Sequence, residues 1–281
     1  MEINVKREAL LKAVNTVSGV IPSSPPIATI GGILIEAKEK EIFITATNLE
    51  TTVRTSVETE ITKKGSVLLP GKKFISLIKQ LDSENLKISL NENQASIQTE
   101  NSSYSFLTMN HEEFPKLPKF SGITKFRMDS KLLRETIEKT KFCIYPEEPR
   151  PHFRGGLLEI KKNSLRMVAT DTKRLGLFST SIEEISESIK VLLPYKLLNF
   201  LSDILKEGDV EIGIGKNQIF FKFNNTSIIS QLLEGADDFP DYERVIPEEG
   251  KLKIARIERN KFLSTLKRIT LFTSERYNRI K

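Results

Sequence analysis

The chain of 281 residues has one cysteine, Cys143, and two histidines, His111 and His152. A single cysteine excludes an internal disulfide and fits a reducing compartment. Two His and one Cys are too few soft ligands for a zinc cluster, and they offer no Ser–His–Asp or Cys–His set for nucleophilic catalysis. No metal, no cofactor and no enzyme activity are therefore expected. No apolar run approaches the roughly 18 residues that a membrane span needs. The opening MEINVKREALLKAV carries charges throughout and lacks the apolar stretch of a secretory signal. These absences point to a cytoplasmic protein with no membrane partner. What remains is ordinary for a globular chain, with 38% hydrophobic and 28% charged residues, at a length that fits roughly two domains. The net charge of +6 permits contact with nucleic acid without requiring it.

The informative feature is an internal repeat. Gly31-Gly32-Ile33-Leu34 recurs as Gly155-Gly156-Leu157-Leu158, and Ala46-Thr47-Asn48 as Ala169-Thr170-Asp171. Val67-Leu68-Leu69-Pro70 recurs as Val191-Leu192-Leu193-Pro194, and Phe114-Pro115 as Phe239-Pro240. The matches keep their order and their offset stays near 124, so the chain holds two copies of one domain. The expected boundaries are 1–122 and 123–248, with 249–281 as the start of a third copy that has too few residues to close a core of its own. The divisions fall near Lys119 to Thr124 and Pro247 to Gly250, where Pro or Gly stands among polar neighbours.

Each copy reads as a helix, strands, a second helix and more strands. Leu10, Leu11, Val14 and Val17 share one helical face, as do Phe74, Ile75, Ile78 and Leu81, and Leu197, Leu198, Leu201 and Leu205. A weaker helix is expected over Lys131 to Lys141. Val67–Pro70 and Val191–Pro194 read as strands entering the second helix. Leu86–Leu90 and Ile42–Ile44 alternate as half-buried strands, and Asn91-Glu92-Asn93 and Gly215-Lys216-Asn217 mark turns. The third copy shows a strand over Lys251 to Ile257 and a helix through Phe262, Leu263, Leu266 and Ile269. Two helices against antiparallel sheets define an α+β domain. The polar helix faces lean basic on every copy, which fits phosphate contact or an ordinary solvated face.

REALLKAVNTVSGV, IGGILIEA, ATNLE, VLLPGKKF, RGGLLEI, MVATDTKRL, VLLPYKLL and FPDYERVIP, in this order, resemble the bacterial sliding clamp family, the β subunit of DNA polymerase III. The resemblance runs the length of the chain. It implies a DNA-clamp fold in which three such domains make a half-ring, two chains close head to tail, and double-stranded DNA passes through the hole. The implied partners are duplex DNA, the replicative DNA polymerase, the clamp loader, other proteins carrying the clamp-binding motif, and a second copy of the full-length chain. The implied DNA-facing residues are Lys6, Arg7, Lys12, Ser24, Lys72, Lys79, Lys131, Arg134, Lys139, Arg150, His152 and Lys196. The family holds partner peptides between its second and third domains. The matching residues are Phe153, Thr170, Lys173, Arg174, Leu175, Pro240, Tyr242, Arg244 and Val245. Lys73, Tyr104 and Phe106 match one side of the closing interface, and Leu271 and Phe272 the other.

Departures from the family pattern are local. Ser24 stands where an Arg often reaches DNA, Pro151-His152 replaces an aromatic pair, and Thr172-Lys173 replaces the usual Gly-His. With so little of a third copy, the residues written here are not expected to close a stable ring, which leaves a partner-binding module as the alternative. Gly213-Ile214-Gly215 lacks the third Gly and following helix of a phosphate loop and reads as a turn. Asp237, Asp238 and Asp241 allow a metal, but with Gly235 and Pro240 they read as a surface turn.

Overall fold

A computed structural model describes residues 1–117, 124–247 and 255–273. They fall into two compact units, Met1–Phe239 and Pro240–Lys281. The first unit opens with β1 (Glu2–Lys6), α1 (Arg7–Ser18), β2 (Gly32–Lys38), β3 (Glu41–Thr47), β4 (Thr51–Glu58), β5 (Glu60–Lys63) and β6 (Gly65–Pro70). It continues with α2 (Gly71–Gln80), β7 (Asn85–Asn91), β8 (Gln94–Gln98) and β9 (Ser103–Leu107). The second copy runs β10 (Thr124–Asp129), α3 (Ser130–Glu138), β11 (Gly155–Thr170), β12 (Leu175–Pro194), α4 (Tyr195–Ile204), β13 (Asp209–Ile214), β14 (Gln218–Phe223) and β15 (Thr226–Gln231).

The expected apolar stripes drive the helices inward. Leu10, Val14 and Val17 of α1, Phe74 and Ile78 of α2, and Leu197, Leu198 and Leu201 of α4 are all buried in one shared core. The third helix is shorter than its sequence window. The Asp129 side chain caps its start by accepting from Leu132 N at 2.9 Å. It ends at Glu138, and Lys141–Cys143 form a separate 3₁₀ turn.

The backbone repeats as the sequence does. Glu39 and Lys162 both take φ 55°, while Leu49 and Thr172 take φ 76° and 72°. Each pair lies 123 residues apart. Non-glycine residues seldom enter the left-handed region, so their recurrence at one offset marks the same turns in both copies. The β11–β12 pairing shifts register between Ile160 and Ser164, around the left-handed Lys162. The two copies also share the bridges Leu68↔Met109 and Leu192↔Leu233.

The two copies join through a sheet. Strands β5-β1-β7-β8-β9 make a five-stranded sheet, and β10-β13-β14-β15-β4-β3-β2-β6 make an eight-stranded sheet that crosses from the second copy to the first. At the junction Thr226 faces Thr55, Ile228 faces Val53 and Ser230 faces Thr51. The facing hydroxyls satisfy one another: Thr51 Oγ1 lies 2.9 Å from Ser230 Oγ, and Thr226 Oγ1 donates to Thr55 Oγ1 at 3.0 Å. All four side chains are buried, where an unpartnered hydroxyl is costly. Backbone bonds from Gln231 N to Glu50 O (2.9 Å) and from Ser56 N to Asn225 O (3.1 Å) close both ends of the seam. Below it Gly19, after α1, abuts Phe200 of α4; a Cβ on Gly19 would stand 2.7 Å from that ring.

Strand β9 is the first copy's counterpart of β15 but pairs only with β8 among the described residues, where it forms an edge. The Leu175–Thr180 stretch of β12, the counterpart of β4, pairs only with β11 among the described residues.

In the second unit, α5 (Arg259–Thr270) forms on the expected stencil, with the Glu258 side chain accepting from Lys261 N at 3.3 Å. None of its residues is buried. Of the strand expected over Lys251 to Ile257, residues 251–254 lie outside the described residues and Ala255–Ile257 are irregular. Short apolar alternation does not define a strand without a partner to pair with. The expected boundary segments also fall largely outside the described residues.

The hydroxyl seam is testable. Ser230→Ala leaves Thr51 Oγ1 buried without its partner and is expected to destabilise the chain by about 1–3 kcal/mol in urea unfolding. Adding Thr51→Val removes the orphaned group and should recover most of that loss.

Candidate nucleic-acid and partner interfaces

The basic side chains expected to meet DNA divide into two groups. In the first, Arg7 Nε donates to Ile78 O at 3.2 Å and Nη2 to Lys79 O at 3.0 Å. It therefore caps the carbonyl end of α2, a favourable place for a cation, and acts as a tie between the two helices of its copy. Lys72 Nζ donates to Ser23 O at 2.6 Å, which anchors the Gly19–Pro26 loop where it becomes exposed, over Ser23–Pro26, and carries Ser24. Lys131 pairs with Glu207 at 3.1 Å, Arg134 with Glu138 at 3.0 Å, and Lys196 with Glu50 across the copies at 4.0 Å. Arg150 pairs with Glu148 at 2.7 Å and stacks 4.5 Å over the Phe153 ring. The bond from Arg150 holds the Glu148 carboxyl below its ordinary range. His152 is half-buried against Phe153, with ring centroids 4.3 Å apart. The second group is Lys6, Lys12, Lys79 and Lys139. All are exposed, and none makes an ion pair among the described residues. These are the cations free to meet an outside anion.

The peptide-site candidates of the first unit gather around one turn. Thr170 is buried; its hydroxyl donates to Arg174 O at 2.7 Å and accepts from Thr172 N at 3.0 Å. Asp171 Oδ1 accepts from Lys173 N and Arg174 N, both at 3.0 Å, and Oδ2 accepts from Arg174 Nε at 2.9 Å. Burial pushes the Asp171 pKa up, but the two backbone amides and the guanidinium outweigh it and hold the carboxyl below its ordinary range. Lys173 and Arg174 are exposed, Leu175 is half-buried, and Phe153 is buried against Phe239 at 6.0 Å between ring centroids. In the second unit Tyr242 is buried in the 3₁₀ turn Tyr242–Val245, Pro240 and Val245 are exposed, and Arg244 pairs with Asp241 at 2.8 Å. Asp171 is absent from the expected site residues. The recurrence of Thr-Asn and Thr-Asp at one offset was the available signal, since both Asn and Asp accept from the backbone two and three residues on.

The expected interface residues are placed as follows. Tyr104 and Lys73 are exposed, and Phe106 packs edge-on against Phe74 with centroids 6.4 Å apart. Leu271 and Phe272 follow the end of α5, at 81% and 88% exposure. Asp237 and Asp238 sit in the turn around Gly235, φ 86°, and no acidic, His or Cys group able to hold a metal is found among the described residues.

Tandem α+β copies joined edge to edge through a common sheet are the build of a sliding clamp. Residues 1–118 match the family "DNA polymerase III beta subunit, N-terminal domain", and 127–241 match "DNA polymerase III beta subunit, central domain". The chain is 32% identical to the beta sliding clamp of Staphylococcus aureus over 291 aligned positions, covering all of this chain and 76% of that protein. It is 31% identical to the beta sliding clamp of Chlamydia muridarum, covering 77% of that protein. A crystal structure of a Pseudomonas aeruginosa sliding clamp bound to griselimycin superimposes with a TM-score of 0.92 at 27% identity, over 99% of this chain and 76% of that one. The clamp of Bacillus subtilis superimposes at 0.91 with 25% identity, over 98% and 75%. The chain belongs to the DNA polymerase III β subunit family, the bacterial sliding clamps.

Arg7→Ala is expected to destabilise the chain by about 1–2 kcal/mol in urea unfolding, because it uncovers two helix-end carbonyls. Lys12→Ala should stay within about 0.5 kcal/mol of the wild type. The Asp171 carboxylate adds stability that is complete above about pH 4 and is lost as pH falls through its lowered folded value. Urea midpoints of the wild type and Asp171→Asn should therefore converge on acidification from about pH 6 to about pH 2.5.

Proposed function

We propose that this chain serves DNA replication as a sliding clamp, a non-enzymatic processivity factor that encircles duplex DNA and tethers the replicative polymerase. The observation that carries the reading is the junction between the copies. The β15–β4 pairing joins one clamp domain to the next, while β9 and the Leu175–Thr180 edge of β12 keep the same two edges open. A head-to-tail contact between unlike edges repeats, and it closes into a ring when the rotation allows. In the complete ring, β9 with Tyr104 and Phe106 takes the edge offered by a second protein copy, beside Lys73. Leu271 and Phe272 are the candidates from the opposite end. Three clamp domains per protein make each half, and the division at about residues 122 and 248 is the one this reading uses.

A tether must hold DNA and still move along it. Base contacts would raise a barrier at every step, whereas phosphate contacts are alike at each base pair. Exposed lysines without acidic partners, such as Lys6, Lys12, Lys79 and Lys139, supply weak, salt-screened attraction. Lys131, Arg134, Arg150, His152, Lys196, Lys72 and the loop of Ser24 are further candidates for the same contact, and Arg7 serves it indirectly by fixing α2. Retention then comes from closure of the ring, and the clamp itself performs no bond chemistry. Chromosome replication sets its place in the cytoplasm.

Docking of the polymerase, clamp loader and other motif-bearing partners is assigned to the Thr170–Leu175 turn with Phe153. The resemblance adds Pro240, Tyr242, Arg244 and Val245 as candidates. Half-buried Leu175 offers apolar surface to leucine or phenylalanine side chains of a peptide, each contributing about 1.5–3 kcal/mol when fully buried. Arg174 offers a guanidinium to an acidic group.

Loading the protein with its clamp loader on a nicked circular plasmid, then linearising it, tests the reading. Release on linearisation is expected; equal retention on both forms contradicts topological linkage. Arg174→Ala should weaken binding of a polymerase-derived peptide in fluorescence polarisation, and an unchanged affinity removes the assignment.

A further inference from the structure

The turn around Asp171 occurs twice in the chain, and the first copy serves as its control. There Thr47 Oγ1 donates to Thr51 O at 3.1 Å, and Asn48 Oδ1 accepts from Glu50 N at 3.0 Å and Thr51 N at 2.7 Å. The second copy makes the same three bonds from Thr170 and Asp171, with the left-handed residue in the same place, Leu49 in one and Thr172 in the other. A neutral amide oxygen thus makes the same turn bonds as the carboxylate does. The negative charge at position 171 is not required by the backbone.

Its second oxygen has a separate partner. Asp171 Oδ2 accepts from Arg174 Nε at 2.9 Å, and the Arg174 guanidinium lies 5.9 Å from the centroid of the exposed Phe142 ring. The guanidinium is held by the carboxylate through Nε and lies beside an aromatic ring, while its side chain remains 57% exposed. The residue that corresponds to Arg174 in the first copy is Thr51, whose hydroxyl is buried against Ser230 in the seam. One turn joins the copies. The other has exchanged its hydroxyl for an oriented, accessible cation, and its amide for the carboxylate that orients it.

We propose that Asp171 is a positioning residue for partner-peptide binding: through its ion pair it presets Arg174 to receive an acidic group of the docked peptide. The proposal rests on the peptide-site reading above. Arginine bonds through a planar fork, so holding Nε fixes the plane in which both Nη groups donate. Ordering the side chain before binding removes a rotamer cost from the binding step.

A double-mutant cycle in fluorescence polarisation tests it, with a labelled synthetic peptide carrying adjacent leucine and phenylalanine residues and one aspartate. Asp171→Asn keeps the turn oxygen that Asn48 supplies in the first copy, so circular dichroism should match the wild type. Peptide binding should weaken by about threefold to tenfold. In the Arg174→Ala background the same substitution should change nothing. An equal loss in both backgrounds, or no loss in the wild-type background, overturns the positioning role while leaving the peptide site standing. A wild-type chain that does not bind the peptide overturns both.

Discussion

The structure depends on the pairing of β15 with β4. A clamp domain taken alone has sheets with exposed ladder edges, which invite uncontrolled association. Here one such edge of each copy is consumed by the other, and the result is an eight-stranded sheet shared by both. Backbone bonds supply the direction and register of the joint. The buried Thr and Ser hydroxyls between Thr51–Thr55 and Thr226–Ser230 make it specific, because a shifted register would strand them without partners. On the helix side, Gly19 gives the Phe200 ring its room. The placement of one copy against the other follows from this joint.

Helices α1, α2 and α5 carry more cations than acids, whereas α3 and α4 are balanced, and the cations do different work. Arg7 ties α1 to the end of α2, Lys72 holds a loop, and Lys196 reaches Glu50 in the other copy. Lys6, Lys12, Lys79 and Lys139 have no such ties among the described residues and are the cations that the proposed DNA contact uses. A surface whose shape is fixed by a few bound cations and whose attraction comes from loose ones suits a protein that must hold DNA without gripping a sequence.

Much of this was legible in the sequence, because the repeat exposes it. The offset of about 124 located the copies, the apolar stencils located α1, α2, α4 and α5, and the Leu-Pro endings located the entries to α2 and α4. The limits are physical. Period-3.6 and period-2 patterns report which face is buried, not which strand lies beside which, so the β15–β4 joint could not be read from them. The role of Arg7 was hidden because its partners are backbone carbonyls 71 and 72 positions away, and carbonyls carry no sequence signature. The third helix stops at Glu138 because Thr140 and the turn after it take over the backbone bonds. Asp171 is hard to read from sequence for the opposite reason: its partners are its nearest neighbours, and comparison with Asn48 separates the turn's own bonds from what the charge adds.

Native-state hydrogen exchange of the chain tests the central claim most directly. If the seam makes one cooperative body of both copies, amides of β4 and β15, Val53 and Ile228 among them, should open together and only with the cores on both sides, while β9 exchanges far faster. Amides of β15 that exchange as fast as those of β9, or copies that open independently of each other, would contradict the account.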